Sequence, residues 1–164
     1  TESREEAIEW ICSTSLARRS LTPEAVADLR GRMYATEKKG DHDGGKGKQR
    51  SGDHNGPHLK TSDLIGARTG VSRMTVKRDY RFHQALNNLE KAGIPRAEFT
   101  SGTRKTKRKE VVKLGAIAEE DPEKSKEIWG KVVEQGPSSG AIKTAIRETE
   151  NEELTAIVDP NANC

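Results

Sequence analysis

Hydrogen-bond donors and small hydroxyl side chains alternate with apolar residues over positions 70–80 of this 164-residue chain, in the order GVSRMTVKRDY. Arginine and lysine donate to guanine O6 and N7 and to phosphate oxygens, whereas threonine and methionine contact thymine methyl groups. On a helix, these side chains would face outward while Val76 faces inward. The outward set has the chemistry to bind DNA, and it comprises Ser72, Arg73, Met74, Thr75, Lys77 and Arg78.

Two helices joined by a tight turn are needed to position this set. Thr61 is predicted to cap the first helix, and Asp63 places a negative charge at its N-terminus. Gly70 can adopt the left-handed backbone conformation that ends one helix and starts the next at a steep angle. Ser72 is predicted to cap the second helix, which should end before Gly93. Residues 61–89 therefore fit a helix-turn-helix, with an ordinary αα-hairpin that carries a solvated basic face as the alternative.

Apolar spacing supports the same two helices. Ile65 in the first helix is placed to meet Val71 and Val76 between the helices. In the second helix, Phe82, Leu86 and Leu89 follow a spacing of four and three, so their side chains are predicted to lie in a core. Asp79 stands where helix-turn-helix proteins often have an apolar residue. We expect either an ion pair with a nearby arginine or Tyr80 in the core position.

Composition favours an all-α protein with a thin core, because 31% of the residues are hydrophobic and 4% are aromatic. A deep substrate pocket is difficult to form from so few large side chains. Charge is uneven, since residues 110–164 contain 12 acidic and 6 basic residues, which leaves +9 on residues 1–109 against a total of +3. A polyanion is the natural partner of the basic part, and without an apolar insertion segment nucleic acid fits better than a membrane.

The domain prediction has four parts. Residues 1–100 form a helical domain that contains the helix-turn-helix and a flexible glycine-rich loop at 40–60, followed by a basic linker at 101–109, a subdomain of short helices at 110–150 and an acidic tail at 151–164. A first helix is predicted to run to about Arg19, with an apolar face of Ala7, Ile8, Ile11 and Trp10. Thr22 and Pro23 are predicted to start a second helix as cap and first residue.

Flanking cations are candidates for phosphate contact. Arg18 and Arg19 could hold a phosphate, as could Arg30 and Arg32, although surface arginines are often only solvated. The run SGTRKTKRK lacks an apolar face. It is interpreted either as a solvated linker or as a basic segment that lies along the DNA phosphate backbone. Its contacts would come from Arg104, Lys105, Lys107 and Arg108.

No metal, cofactor or enzyme activity is expected. The histidines and aspartates of the loop at 40–60 match no known ligand spacing. A nuclease or recombinase would need clustered carboxylates with a metal, or a nucleophile among arginines, and neither Tyr34 nor Tyr80 has such partners. Cys12 and Cys164 are too few for a disulfide framework. The chain lacks a long apolar run and a signal peptide, so a cytoplasmic location is expected; a start without methionine predicts that an upstream segment was removed.

Taken together, the segments REEAIEWI, LARRSLTPE and TGVSRMTVKRDYRFHQAL resemble the central region of ParB-like proteins, the DNA-binding partners in plasmid and chromosome partition. The segment KLGAIAEEDPEKSKEIWGKVVEQGPSSGAIKTAI resembles the short helices that follow the helix-turn-helix in that family. The likeness spans roughly Arg4 to Ile146 and is most specific around Gly70 to Asp79.

The resemblance implies a role for the second helix and a set of partners. In the family this helix reads the DNA site, a role that carries over to Ser72, Arg73, Thr75, Lys77 and Arg78. It implies binding to a centromere site, association with a nucleoid or plasmid, and a ParA-type ATPase that acts through the N-terminal region. The family's nucleotide-binding domain lies before this region and is missing here, so no CTP site is expected.

Other functions fit parts of the same pattern. A transcription repressor needs the same motif, and only a neighbouring gene for a ParA-type ATPase would favour partition over it. A DNA-acting enzyme is the less favoured alternative, for the reasons given above. The acidic C-terminal helices could also bind a protein partner or a second copy of the chain, and a homodimer would read two half-sites one or more helical turns apart.

Overall fold

The computed structural model of the chain describes residues 4–16, 20–42, 60–104, 106–136, 138 and 140–158. Over these residues the protein is all-α, without strands, as its sequence predicts. The residues separate into two compact units, 1–83 and 84–164. None of the described helices is both long and apolar enough to cross a bilayer. In chain order the helices are α1 (Arg4–Leu16), α2 (Pro23–His42), α3 (Thr61–Thr69), α4 (Arg73–Lys91), α5 (Ala97–Thr100), α6 (Arg108–Glu120), α7 (Pro122–Glu134) and α8 (Ala141–Val158).

The first unit contains α1, α2, α3 and the N-terminal part of α4 around one apolar core. Each of the four helices contributes a buried residue, respectively Cys12, Met33, Ile65 and Val76. Val71 packs against this cluster from the turn, so the predicted meeting of Ile65, Val71 and Val76 is confirmed. The four buried residues of this cluster are small or medium in size, and Tyr34 packs against them from α2.

The start of α2 follows its sequence signals. Thr22 Oγ1 accepts a hydrogen bond from the Ala25 backbone N–H at 3.1 Å, and Pro23 is the first helical residue. The helix extends to His42, two residues past Gly40, where the flexible loop was predicted to begin. Residues 43–59, the rest of that predicted loop, lie outside the described residues.

Helix α1 packs through a different face from the one predicted. Cys12 is fully buried, with Ile8 and Leu16 packed beside it, whereas Trp10 is 69% exposed and Ile11 is 50% exposed. The prediction is confirmed for Ile8 and wrong for Ala7, Ile11 and Trp10, which are exposed. The inward stripe is completed at positions 8, 12 and 16 by Cys12, which behaves as a small hydrophobic residue. Burial raises the pKa of the Cys12 thiol. The helix ends at Leu16, and residues 17–19 lie outside the described residues.

The second unit packs the C-terminal part of α4 with α5 to α8. Leu86 and Leu89 are fully buried, as predicted, and α4 ends before Gly93, which has φ 83°. Helix α7 begins at Pro122 after Asp121, whose side chain accepts the Lys124 N–H at 3.0 Å. The buried apolar residues of the later helices are Phe99, Val111, Leu114, Ala118, Ile128, Trp129, Val132, Ala141, Ile142 and Ala145.

The division between the units differs from the predicted domain limits. It lies inside α4, between His83 and Gln84, and not in the basic stretch after residue 100. Helix α6 begins at Arg108, so that stretch is confined to residues 101–107. Helix α8 runs to Val158 and includes the first part of the predicted tail. Because one continuous helix contributes to both units, no change in composition marks the boundary.

Candidate nucleic-acid interface

The junction between α3 and α4 is a three-residue turn, Gly70 to Ser72. Gly70 has φ 69° and ψ 28°, which is the predicted left-handed conformation. The Gly70 and Val71 backbone N–H groups both donate to the carbonyl oxygen of Gly66, so the end of α3 is closed by its own backbone. The Thr75 backbone N–H donates to Ser72 Oγ at 3.2 Å, and this confirms Ser72 as the cap of α4.

The start of α3 differs from the prediction by one residue. Thr61 is the first helical residue, and Lys60 holds the cap position with an extended backbone. The Lys60 carbonyl oxygen accepts the N–H groups of Asp63 at 2.7 Å and Leu64 at 3.2 Å. Thr61 is therefore wrong as a cap, because the first turn closes on the backbone of the preceding residue. Asp63 does lie in the first turn, as predicted.

One side of α4 carries a continuous set of exposed cations. Arg73, Lys77 and Arg78 are exposed there, as predicted, and Arg81 extends the set by one turn. Among the described residues, none of these four is in an ion pair. We call them the basic face. Arg81 is not among the predicted contacts, although its spacing of four from Lys77 and eight from Arg73 places the three on one side of a helix.

The other predicted DNA-contacting residues of α4 differ in how accessible their side chains are to a ligand. Met74 is 50% exposed and lies on the same side of the helix as the cations. Thr75 is half-buried, and its Oγ1 lies 3.0 Å from Ser72 Oγ, so this hydroxyl is already engaged in the cap. Ser72 is exposed, but its Oγ already accepts a hydrogen bond from the Thr75 backbone N–H. The cations and Met74 are thus the side chains of α4 most available to a ligand.

The opposite side of α4 is fixed to α2 by buried polar contacts. Asp79 is 1% exposed and forms an ion pair with Arg30, which is 8% exposed. One turn further along α4, His83 Nδ1 lies 2.7 Å from Asp28 Oδ1. The predicted ion pair of Asp79 is confirmed, and its partner is Arg30. This contact also explains why Arg30 is not placed to bind phosphate.

A glycine of α2 allows this close packing. A Cβ atom on Gly31 would lie 2.4 Å from the carbonyl oxygen of Asp79 and 2.6 Å from the Cβ of His83. A Cβ atom does not approach non-bonded atoms this closely, so α2 and α4 approach each other at a distance that only glycine permits. The Arg30–Asp79 and Asp28–His83 contacts flank this point, and together they fix the rotation of α4 about its own axis.

The predicted phosphate-contacting arginines and lysines outside α4 differ in their exposure and in their contacts within the protein. Arg104 is engaged within the second unit, because its Nε donates to Glu98 at 2.9 Å and its guanidinium lies 5.6 Å from the centre of the Trp129 ring, so its phosphate contact stays a prediction. Lys107 is exposed just before α6, and Arg108 is half-buried as its first residue. The other predicted contacts, Arg18, Arg19 and Lys105, lie outside the described residues.

The candidate metal ligands of the sequence lie in the predicted loop at 40–60. Of the candidate histidines and aspartates there, Asp43, His54 and His58 lie outside the described residues. The part of the chain that the structure describes contains no cluster of three or more histidine, cysteine or carboxylate side chains suited to a metal ion.

The helix cap at Ser72 can be tested directly. Ser72→Ala is expected to destabilise the first unit by about 1 kcal/mol, because the Thr75 N–H loses its acceptor. Ser72→Asp restores an acceptor and should stay within a few tenths of a kcal/mol of the wild type. Urea denaturation followed by labelling of the buried Cys12 thiol, in a Cys164→Ser background, measures both variants. Equal stabilities for the alanine and aspartate variants would contradict the assigned cap.

No protein-family model, curated protein or solved structure matches this chain. The resemblance to ParB-like proteins therefore stays a prediction from the quoted segments. In the structure, α4 has exposed cations on one side and, on the other, the buried Arg30–Asp79 and Asp28–His83 contacts with α2, which we call the clamp. Any functional proposal has to start from that arrangement.

Proposed function

We propose that this chain binds duplex DNA in a sequence-specific manner, as the DNA-binding region of a ParB-like partition protein. The observation that carries the proposal is the basic face, four exposed cations on a helix whose opposite side is clamped to α2. A capped helix of this kind, preceded by a short glycine turn and a second helix, fits the helix-turn-helix mode of major-groove recognition.

The dimensions of the basic face support this mode. Arg73 and Arg81 are eight residues apart, which at 1.5 Å per residue corresponds to about 12 Å along the helix axis. An α-helix with its side chains is about 10–12 Å in diameter and fits the major groove of B-form DNA, which is about 12 Å wide, so the cations nearest the N-terminus of α4 can approach base edges while later ones approach phosphates. Met74 on the same side suits a thymine methyl group.

The clamp supports the specificity of binding. Base readout requires each donor to meet one pattern of acceptors, so the reading helix has to be held in one rotation. A loosely held helix with the same charges would still bind phosphates but would discriminate poorly between sequences. Because Asp79 and His83 are buried against α2, the orientation of Arg73 and Lys77 is set by the core of the first unit.

A binding titration tests the division between base and phosphate contacts. The duplex site is first obtained by selection from a random-sequence library, and affinities are then measured for this site and for random duplex at two salt concentrations. Arg73→Ala is expected to weaken binding to the selected site by about 1–3 kcal/mol while changing random duplex much less. Lys107→Ala should weaken both duplexes alike and reduce the salt dependence by about one released counterion.

The control is Arg147→Ala, which removes an exposed arginine from α8 without touching the basic face. It should leave both affinities unchanged. Equal losses on the two duplexes for Arg73→Ala and Lys107→Ala would contradict the assignment of base contacts to α4. Failure of the selection to enrich any sequence would overturn sequence-specific binding itself and leave only a basic surface.

The partition role rests on the ParB-like resemblance and needs its own test. In that role the selected site should occur close to a gene for a ParA-type ATPase, and a plasmid that carries the site should be lost faster when the protein is absent. A single site that overlaps a promoter, with unchanged plasmid retention, would instead assign the protein to transcription repression. A homodimer is proposed if the selected site contains two half-sites related by symmetry.

A further inference from the structure

Two tyrosines meet between α2 and α4 at the border of the basic face. The rings of Tyr34 and Tyr80 pack edge to face, with their centres 5.0 Å apart. Tyr80 comes three residues after Lys77 and directly before Arg81, so its ring lies next to the exposed cations of α4. Both tyrosines are half-buried, and part of the pair is therefore open to solvent.

A lysine of α2 reaches this border. The Nζ atom of Lys38 lies 5.7 Å from the centre of the Tyr80 ring, a distance at which an ammonium group is attracted to an aromatic face. The Lys38 side chain is exposed and forms no ion pair with any other described residue. Glu37, the neighbouring carboxylate on α2, is paired with Arg68 of α3 at 3.1 Å. A cation of α2 is thus held beside the basic face of α4.

We propose that Lys38 binds the phosphate backbone of the DNA at the edge of the groove that α4 enters, and that Tyr80 is the residue that positions it. This rests on the proposed function and extends the DNA interface from α4 to α2. A lysine loses conformational entropy when it is fixed on a phosphate, and contact with a ring in the free protein reduces that loss.

The position of Lys38 favours a phosphate over a base edge. In helix-turn-helix complexes the reading helix enters the major groove, whereas a neighbouring helix crosses the sugar-phosphate backbone. Helix α2 is such a neighbour, since the clamp holds it against the buried side of α4. A lysine ammonium also suits a phosphate, which it binds as a point charge. The contact should therefore add affinity for any duplex without adding sequence preference.

Neutralisation of single phosphates tests the contact. The selected duplex is synthesised with one methylphosphonate at a time, and the affinity of the whole chain for each duplex is measured. Lys38→Gln is expected to weaken binding to the selected site and to random duplex alike, by about three- to tenfold, and to reduce the slope of log affinity against log salt by about 0.9. One methylphosphonate at the edge of the site should weaken the wild type but cause no further loss in Lys38→Gln.

Further variants separate the phosphate contact from general charge and from packing. Lys38→Arg keeps the cation and Tyr80→Phe keeps the ring, so both should bind within about twofold of the wild type. Tyr80→Leu removes the ring and should weaken binding about two- to threefold, with no added loss in combination with Lys38→Gln. The matched control is Arg32→Gln, an exposed cation about a third of a turn from Lys38 on the same helix. It should leave the salt slope unchanged.

The outcomes distinguish this contact from DNA binding as such. A wild-type chain that binds neither duplex would overturn the proposed function and the contact together. Wild-type binding with the same salt slope and the same methylphosphonate profile in Lys38→Gln would overturn the role of Lys38 alone. An equal loss in Arg32→Gln would also overturn it, because general charge would then be the cause. If the losses of Tyr80→Leu and Lys38→Gln added in full, Tyr80 would not position Lys38.

Discussion

Asp79→Ala is expected to destabilise the first unit by about 3–5 kcal/mol, which is a large share of the stability of a small domain. The reason is that Arg30 would remain buried with its charge uncompensated. The free energy of unfolding is measured by urea denaturation, with labelling of Cys12 in a Cys164→Ser background as the readout. This thiol is buried and its pKa is raised by burial, so it reacts slowly until the first unit opens.

A double variant shows whether the loss comes from the unpaired charge. Arg30→Met combined with Asp79→Leu replaces the pair by apolar side chains of similar size, and it is expected to be close to the wild type in stability or above it. If the double variant were as unstable as Asp79→Ala, the pair would have another role than charge compensation. If Asp79→Ala were as stable as the wild type, the assignment of a buried ion pair between Arg30 and Asp79 would be wrong.

Gly31→Ala is the second large expected effect, with a loss of about 1–3 kcal/mol or more in the first unit. Alanine normally stabilises the interior of a helix relative to glycine by roughly 0.5–1 kcal/mol, so the sign of the change is itself diagnostic. The added methyl group would meet the Asp79 carbonyl oxygen at 2.4 Å, and a backbone atom cannot move aside alone. Thermal and urea denaturation measure the change.

Gly130→Ala is the matched control for this substitution. Gly130 lies inside α7, is exposed, and has no atom within 4 Å of the position that a Cβ would take. The substitution should raise stability by about 0.5–1 kcal/mol. Opposite signs at Gly31 and Gly130 would identify close helix contact as the cause. A stabilised Gly31→Ala protein would mean that α2 and α4 are further apart than the structure shows.

The sequence predicted the helices of the proposed interface because their signals are local. Gly70 and Ser72 act on backbone groups within a few residues of themselves, and both predictions are confirmed. The inward position of Val76 follows from helical spacing alone. The ion pair of Asp79 could also be expected, because a buried carboxylate in a helix has to find a cation. Its partner could not be named from spacing.

What the sequence could not predict depends on contacts between distant segments. Arg30 and Asp79 are 49 residues apart, and Asp28 and His83 are 55 residues apart. Arg104 belonged by composition to a basic run, but its contacts with Glu98 and Trp129 need the packing of α5 against α7. The apolar face of α1 was misassigned for the same reason, since the choice between two stripes is made by the surface it packs against.

The exposed and the buried sides of α4 share no residues, so substitutions on the exposed side can occur independently of the packing. Arg73, Lys77, Arg78 and Arg81 have no packing role that would resist replacement, whereas Asp79 and His83 are fixed by α2. A library randomised at the four exposed positions should therefore yield folded proteins at high frequency. New target preferences could accumulate on this helix during evolution without compensating substitutions elsewhere in the first unit.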